Sequence, residues 1–281
     1  MKFLIILFFN QILFGIGLEA LNIPSSATAA SFTGAGIAKT LDVEINPASI
    51  YKLNDNFIRF STYNWLGNVP GNQVSMFWRN TNPHYISLQS SVINDLELYG
   101  DIPSDQPLGT FSSSWVAASY GSAFDLMGWQ IGSLIKINFS KLYKEIMYGY
   151  TTDFGMFYKF SNNVNFGINL KNLGYEFSDN LRTSIPSQFG FGLSIIEPIL
   201  QTNFLLDFVS DKNNSSIYKI GLFKSFKDLS CNLGFTKQND IIIYGLGISY
   251  IYKNWGINIG TTTHNSTAFD ISKYLDFVWY L

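Results

Sequence analysis

From about Asn56 to the C-terminus, large apolar residues alternate with small or polar ones. Val164, Phe166, Ile168 and Leu170 oppose Asn165, Gly167, Asn169 and Lys171, and the same period of two runs through 189–195, 229–236, 242–250 and 255–260. Such alternation puts each set on its own face of a sheet, so these segments read as strands. Runs bounded by turn residues predict about fourteen of them: 56–66, 72–80, 84–93, 111–122, 127–138, 150–160, 163–172, 186–196, 199–210, 215–226, 228–236, 241–252, 254–263 and 272–281. Longer connections are expected at 94–110, 139–149 and 173–185. In the last strand Leu275, Phe277, Trp279 and Leu281 share one face, and Asp276 and Tyr280 the other. In a soluble sandwich that apolar face would be buried against a second sheet. The opposite faces decide between the two. They carry Gly, Ser and Asn with a thin scatter of charge, which suits a narrow barrel interior better than a water-facing sheet. An even strand number lets the wall close antiparallel with no open edge. The expected fold is all-β: a closed antiparallel transmembrane barrel of about fourteen strands over residues 53–281.

Residues 21–52 have no such period. Leu21-Asn-Ile-Pro-Ser-Ser-Ala-Thr-Ala-Ala30 and Ser31-Phe-Thr-Gly-Ala-Gly-Ile-Ala38 are rich in small residues and lead to Asn46-Pro47-Ala48. This reads as an irregular, partly helical plug segment lying in the lumen. Pro47 disfavours the α region at Asn46, so a helix here should end or bend just before it. Before this, Lys2 and the apolar run from Phe3 to about Leu18 read as a secretory signal peptide, residues 1–20, cleaved after Gly17 or Ala20. The run is short of the roughly 20 residues a spanning helix prefers.

Composition sharpens the membrane reading. Charged residues are 14% and aromatics 17% of the chain, where a soluble domain carries roughly 25% charge. Few charges and many rings suit a wall facing lipid. A net charge of −2 speaks against nucleic acid as a partner. The single cysteine, Cys231, excludes an intrachain disulfide and a thiolate metal cluster and is read as outward apolar filler. His84 and His264 are far apart and read as exposed loop residues rather than metal ligands. The chain has no Gly-x-Ser-x-Gly elbow, and Gly34-Ala-Gly36 lacks the preceding strand and third glycine of a dinucleotide fingerprint. The chain is therefore read as a non-enzyme without cofactor or metal. Lys136, Asp153, Lys159, Lys171, Asp207, Lys219 and Asp276 fall on the lumen side of the alternation. Pairing with one another and with the plug is preferred to a ligand path.

Three patches carry a family resemblance. Leu21-Asn-Ile-Pro-Ser-Ser-Ala27, the Gly34-Ala-Gly36 turn and Asp42-Val43 before Asn46-Pro47-Ala48 resemble the start of the PorV/PorQ family, which is related to the FadL long-chain fatty-acid transporters. Asn169-Leu-Lys-Asn-Leu-Gly174 followed by Ile185-Pro-Ser-Gln-Phe-Gly-Phe-Gly192, and Asp153-Phe-Gly-Met-Phe-Tyr158, are similar to later strands of that family. Phe32-Thr33 stands where the family usually has Leu-Gly. The resemblance implies a fourteen-stranded outer-membrane barrel with Gly34, Gly36, Asn46, Pro47 and Ala48 as the plug motif inside it. It implies two functions. Ranked first is a non-enzymatic component of type IX protein secretion or surface assembly, because the inward positions assigned here are Gly, Ser and Asn. The alternative is a FadL-like passive channel for hydrophobic small molecules. The expected place is the bacterial outer membrane, as an integral multi-pass barrel. Expected partners are outer-membrane lipid, the barrel-insertion machinery that would read Leu275, Phe277, Trp279 and Leu281, and, on the first reading, type IX secretion components or their cargo.

Overall fold

The computed structural model describes residues 21, 23–99, 106–178, 181–211, 215–266 and 270–281. The expected signal peptide lies outside the described residues. The strands are β1 (Phe57–Trp65), β2 (Val69–Arg79), β3 (Pro83–Leu98), β4 (Gly109–Leu126), β5 (Trp129–Leu142), β6 (Glu145–Lys159), β7 (Val164–Ser178), β8 (Leu181–Ser184), β9 (Gln188–Glu197), β10 (Thr202–Asp211), β11 (Ser216–Phe226), β12 (Leu229–Gln238), β13 (Ile241–Tyr252), β14 (Trp255–His264) and β15 (Ser272–Tyr280). Neighbours pair antiparallel around the ring, and β1 closes on β15. Two of the elements share one place in the wall. β8 pairs with Tyr175–Ser178 of β7, and β9 with Val164–Lys171 of the same strand. The fifteen elements therefore make a closed barrel of fourteen wall strands. The interruption falls at Ile185-Pro186-Ser187, where Pro186 has no N–H to give to a ladder.

The end of the barrel holding Phe57 and Tyr280 is taken as the lower one. Outward side chains form an apolar belt, with Ile137, Leu246 and Ile259 all more than half exposed. Cys231 is exposed on this face too. Rings gather at both borders of the belt. Trp129 stacks on Tyr158 and Trp255 on Trp279 at the lower border, and Tyr148 stacks on Phe177 at the upper. Tyr158 and Tyr148 lie at the two ends of the outward face of β6. A rise of about 3.4 Å per residue and a tilt near 40° place them about 26 Å apart along the axis, which matches the apolar band of a membrane barrel.

The wall is uneven in height. β3 to β7 have 16, 18, 14, 15 and 15 residues, whereas β1 and β15 have 9. The connections expected at 139–149 and 173–185 are for the most part strand, in a sheet that continues above the belt. Charged residues such as Lys141, Lys144 and Glu145 hide the alternation there without ending the ladder, whose register runs from Trp129↔Tyr158 to Leu142↔Glu145. A bulge opposite Asp153 sets Lys171 and Asn172 side by side, with Asn172 at φ 59°. The histidines correct a second expectation. Both lie in strand ends rather than loops, and His84 stacks between Trp78 and Tyr120 with Nδ1 2.9 Å from the Tyr120 hydroxyl.

Candidate functional site: the occupied lumen

Residues 23–52 lie against the inner wall. They contain one short helix, α1 (Ala27–Ser31), and a 3-10 helix at Pro47–Lys52. Ser26 caps α1 by accepting the Ala29 N–H at 3.0 Å. Pro47 begins a helix instead of ending one, because at the first helical position its missing N–H costs nothing. Asn46, extended at φ −146°, is the cap, and its Oδ1 accepts the Ala48 N–H at 3.0 Å. Between the helices, Thr33, Gly34 and Gly36 take positive φ, which turns the chain sharply.

The bed for this segment is a track of inward glycines aligned across strands. Gly132 pairs with Gly155, Gly167 with Gly192, Gly221 with Gly234, Gly234 with Gly245, and Gly247 with Gly260. A Cβ on Gly167 would lie 2.1 Å from the Ile37 carbonyl oxygen, and one on Gly234 would lie 2.3 Å from the Phe32 carbonyl carbon. One on Gly132 would meet the Pro47 oxygen at 2.3 Å. Backbone rests directly on backbone at glycines of β5, β6, β7, β9, β12, β13 and β14, half of the wall strands.

Polar side chains of the wall then satisfy the segment's main chain. Asp276 Oδ1 accepts the Ala27 N–H at 2.9 Å. Asp207 Oδ2 accepts the Gly36 and Ile37 N–H groups at 2.6 and 3.1 Å, and Lys219 Nζ donates to the Gly34 carbonyl at 3.2 Å. Asn46 Nδ2 donates to the carbonyls of Ile37, Met156 and Ile168, and Asn169 Nδ2 to that of Ile45. Arg59 on β1 meets Asp42 of the segment at 2.9 Å, and Ser26 Oγ donates to the same carboxylate at 2.6 Å. Burial alone would raise the Asp42 carboxyl, but the Arg59 charge, the Ser26 hydroxyl and the Glu44 N–H hold it below the ordinary carboxylate range.

The expected lumen-facing set divides into three. Asp207, Lys219 and Asp276 touch the segment. Lys136 and Asp153 pair with each other at 2.9 Å, Asp153 also accepting the Asn172 N–H at 2.7 Å, and Lys171 lies beside them at the bulge. Lys159 departs from expectation: it is exposed at the last residue of β6, where the strand runs past the segment. Arg59, Gln73, Asn203, Asn232 and Thr236 also hold the segment or its anchors and were not picked out from sequence. A charged Arg59 between Ile58 and Phe60 was the available signal.

The lumen is also more apolar than the alternation indicated. In its lower half Ile50 and Val43 pack with Phe57, Phe77, Tyr85, Leu134 and Val278, and Arg79 closes that end by donating to the carbonyls of Tyr51 and Leu53. In its upper half Leu21 and Ile23 pack among Tyr63, Trp115, Ile185 and Tyr274. These inward rings come from β1 to β4 and β15, where the alternation assigns only Asp276 and Tyr280 to the inner face. The upper cluster reaches the wall interruption through Ile185.

No family model matches the chain, and no curated protein matches it by sequence. Solved structures match it in fold. The CymD monoaromatic hydrocarbon channel aligns with a TM-score of 0.67 at 9% identity, over 92% of this chain and 98% of that one. The Pseudomonas putida toluene transporter TodX aligns at 0.64 and 10% identity, over 91% and 98%. A Pseudomonas aeruginosa FadL homologue aligns at 0.60 and 9% identity, over 91% and 97%. This likeness in fold carries the FadL-type part of the sequence resemblance and not its PorV/PorQ part. The chain is an integral membrane β-barrel of fourteen wall strands with the fold of the FadL-type channels.

Proposed function

We propose that this protein is a passive channel for small hydrophobic molecules in a bacterial outer membrane, with residues 21–52 as its plug. One observation carries the reading. The apolar cluster of Leu21, Ile23, Tyr63, Trp115 and Tyr274 in the upper lumen continues to Ile185, at the interruption in the eighth wall strand. A solute reaching this cluster would meet rings and aliphatic side chains. The segment packs against the wall rings in both halves of the lumen, so a solute taken from water at the upper cluster would displace Leu21 and Ile23. The likeness in fold to hydrocarbon channels supports this reading. No step needs an enzyme: the wall groups that anchor the plug are committed to it, and transfer from water to apolar surroundings is favourable in itself.

The test is uptake of labelled toluene by Gram-negative cells whose own hydrocarbon channels are deleted. Expression of this protein should raise the initial rate above that of cells carrying the Trp115→Asp variant at equal barrel yield. Equal rates would overturn the channel reading.

A further inference from the structure

The lower turns of the barrel are of two kinds. Three consecutive hairpins, β4–β5, β6–β7 and β9–β10, end in apolar tips. Met127 and Ile199 are 94% and 87% exposed there, and Phe160 and Leu200 more than half. The hairpins on either side end in Asn80-Thr81-Asn82, Lys227-Asp228 and Lys253-Asn254. Turn geometry does not demand this difference. Met127 follows the cross-strand pair Leu126↔Trp129, Lys227 follows Phe226↔Leu229 and Lys253 follows Tyr252↔Trp255. All three tip residues take nearly the same φ, 53°, 53° and 51°. The same two-residue turn thus carries an apolar side chain on one side of the rim and a charged one on the other.

A turn that enters the membrane interface loses water around its main chain, and each apolar-tipped turn supplies partners of its own. Asp125 Oδ1 accepts the Gly128 N–H at 3.1 Å, while Gln130 Nε2 donates to Asp125 Oδ2 at 2.8 Å and to the Gly128 carbonyl at 3.1 Å. In the next turn the Phe160 and Ser161 N–H groups go to the Val164 carbonyl, and Ser161 Oγ accepts from the Asn163 and Val164 N–H groups. In the third the Glu197 carboxylate accepts the Ile199 and Leu200 N–H groups, and Gln201 Nε2 donates to the Pro198 carbonyl at 2.7 Å. The tips also continue the apolar belt. The Phe160 ring meets Phe166 edge-on with centroids 5.8 Å apart, and Phe166 lies on the outward face of β7. We propose that these three turns are seated in the membrane interface against lipid, and that the barrel leans towards its β4–β10 side. Lipid then covers there the rim that water covers at Lys227 and Lys253. A strand spacing of about 4.8 Å sets neighbouring tips roughly 10 Å apart along the rim, which suits a fluid lipid surface better than a single protein pocket. Asp125 and Glu197 are tolerated at this depth, because charge near the interface costs far less than at the bilayer centre.

Spin labels in vesicles test this. Single cysteines carrying a nitroxide replace Met127, Phe160, Ile199, Lys227 or Lys253 in the full chain, with Cys231 replaced by Ser. Each purified barrel is reconstituted in vesicles of phosphatidylcholine and phosphatidylglycerol. Power saturation compares collisions with oxygen, which concentrates in lipid, with collisions with an aqueous nickel chelate, which lipid excludes. The oxygen-to-nickel ratio should be several-fold higher at Met127, Phe160 and Ile199 than at Lys227 and Lys253. Equal ratios in the two sets would overturn the proposal, whether low, with the tips in water and free for a soluble protein, or high, with the whole rim level in lipid. A label that prevents a heat-modifiable barrel at one apolar turn leaves the other two turns to decide by the same criterion.

Discussion

Adding two methyl groups to the glycine bed should unseat the N-terminal segment without unfolding the barrel. In the Gly167→Ala/Gly234→Ala variant one Cβ would stand 2.1 Å from the Ile37 oxygen and 2.6 Å from its carbonyl carbon. The other would stand 2.3 Å and 2.6 Å from the Phe32 carbonyl carbon and Cα. Ordinary contact begins at 3.4 Å, so the main chain must retreat by about 1 Å at both points. Between them lie the Gly36 and Ile37 N–H groups held by Asp207 at 2.6 and 3.1 Å, and that retreat breaks both bonds. Overpacking costs about 1–3 kcal/mol per site, and a hydrogen bond to a charged group contributes about 1.5–3 kcal/mol. Even the low ends amount to about 5 kcal/mol, close to what takes a two-state population from almost wholly seated to almost wholly displaced. The wall loses nothing comparable, since both methyls point to the lumen and the strand ladder needs no particular side chain. Single-channel conductance in planar bilayers should rise from near closure to that of an open pore. A bulky maleimide should label a cysteine at Ala35, in a background with Cys231 replaced by Ser, only in the variant. Gly256→Ala is the control, because its nearest neighbours would be 3.4 Å away. Unchanged conductance and labelling in a correctly folded double variant would refute the reasoning, and so would an equal effect from the control.

The other predictions are briefer. Trp279→Asp/Leu281→Asp should abolish assembly, since charge on the lipid-facing side of the last strand is unfavourable; a normal heat-modifiable yield would count against it. Leu246→Lys, at the middle of the belt and 55% exposed, should destabilise the barrel by about 2–4 kcal/mol in urea titrations from bilayers. Arg59→Met should cost about 3–5 kcal/mol by leaving the Asp42 charge buried and unpaired, and Asp42→Asn in the same chain should restore much of it. The Asp42 carboxyl is held below its unfolded value, so its contribution is complete above about pH 3.9 and is lost as pH falls through the lower, folded value. Labelling at Ala35 in the Cys231→Ser background should accordingly stay blocked at pH 4.5 and appear only in stronger acid.

The wall was legible because its physics is one-dimensional. Each strand faces lipid on one side, so Phe166, Ile168, Leu246 and Ile259 repeat every second residue whatever the rest of the chain does. That signal weakens above the belt, where both faces of β5 and β6 meet water or protein. Lys141 and Lys144 then sit in or beside strands that the alternation alone reads as loop. The small inward face of β7, β9 and β12 to β14 was also visible, but its meaning was not. Gly167, Gly234 and Gly245 look like filler until the register sets them side by side, and register is a long-range property that no single strand carries.

The interior resisted prediction for a related reason. Its contacts join residues far apart in the chain, as Ala27 joins Asp276 and Gly36 joins Asp207. Neither carboxylate has a local partner that would mark its task. The apolar content of the lumen was missed because it is divided between inward rings such as Tyr63, Trp115 and Tyr274 and the segment's own Leu21, Ile23 and Ile50. Each piece alone resembles ordinary core or ordinary wall. The functional conclusion moved with them. An interior of Gly, Ser and Asn argues for a scaffold, whereas the same polar residues spent on holding a segment, beneath an apolar cluster of rings that reaches Ile185, argue for a stoppered path.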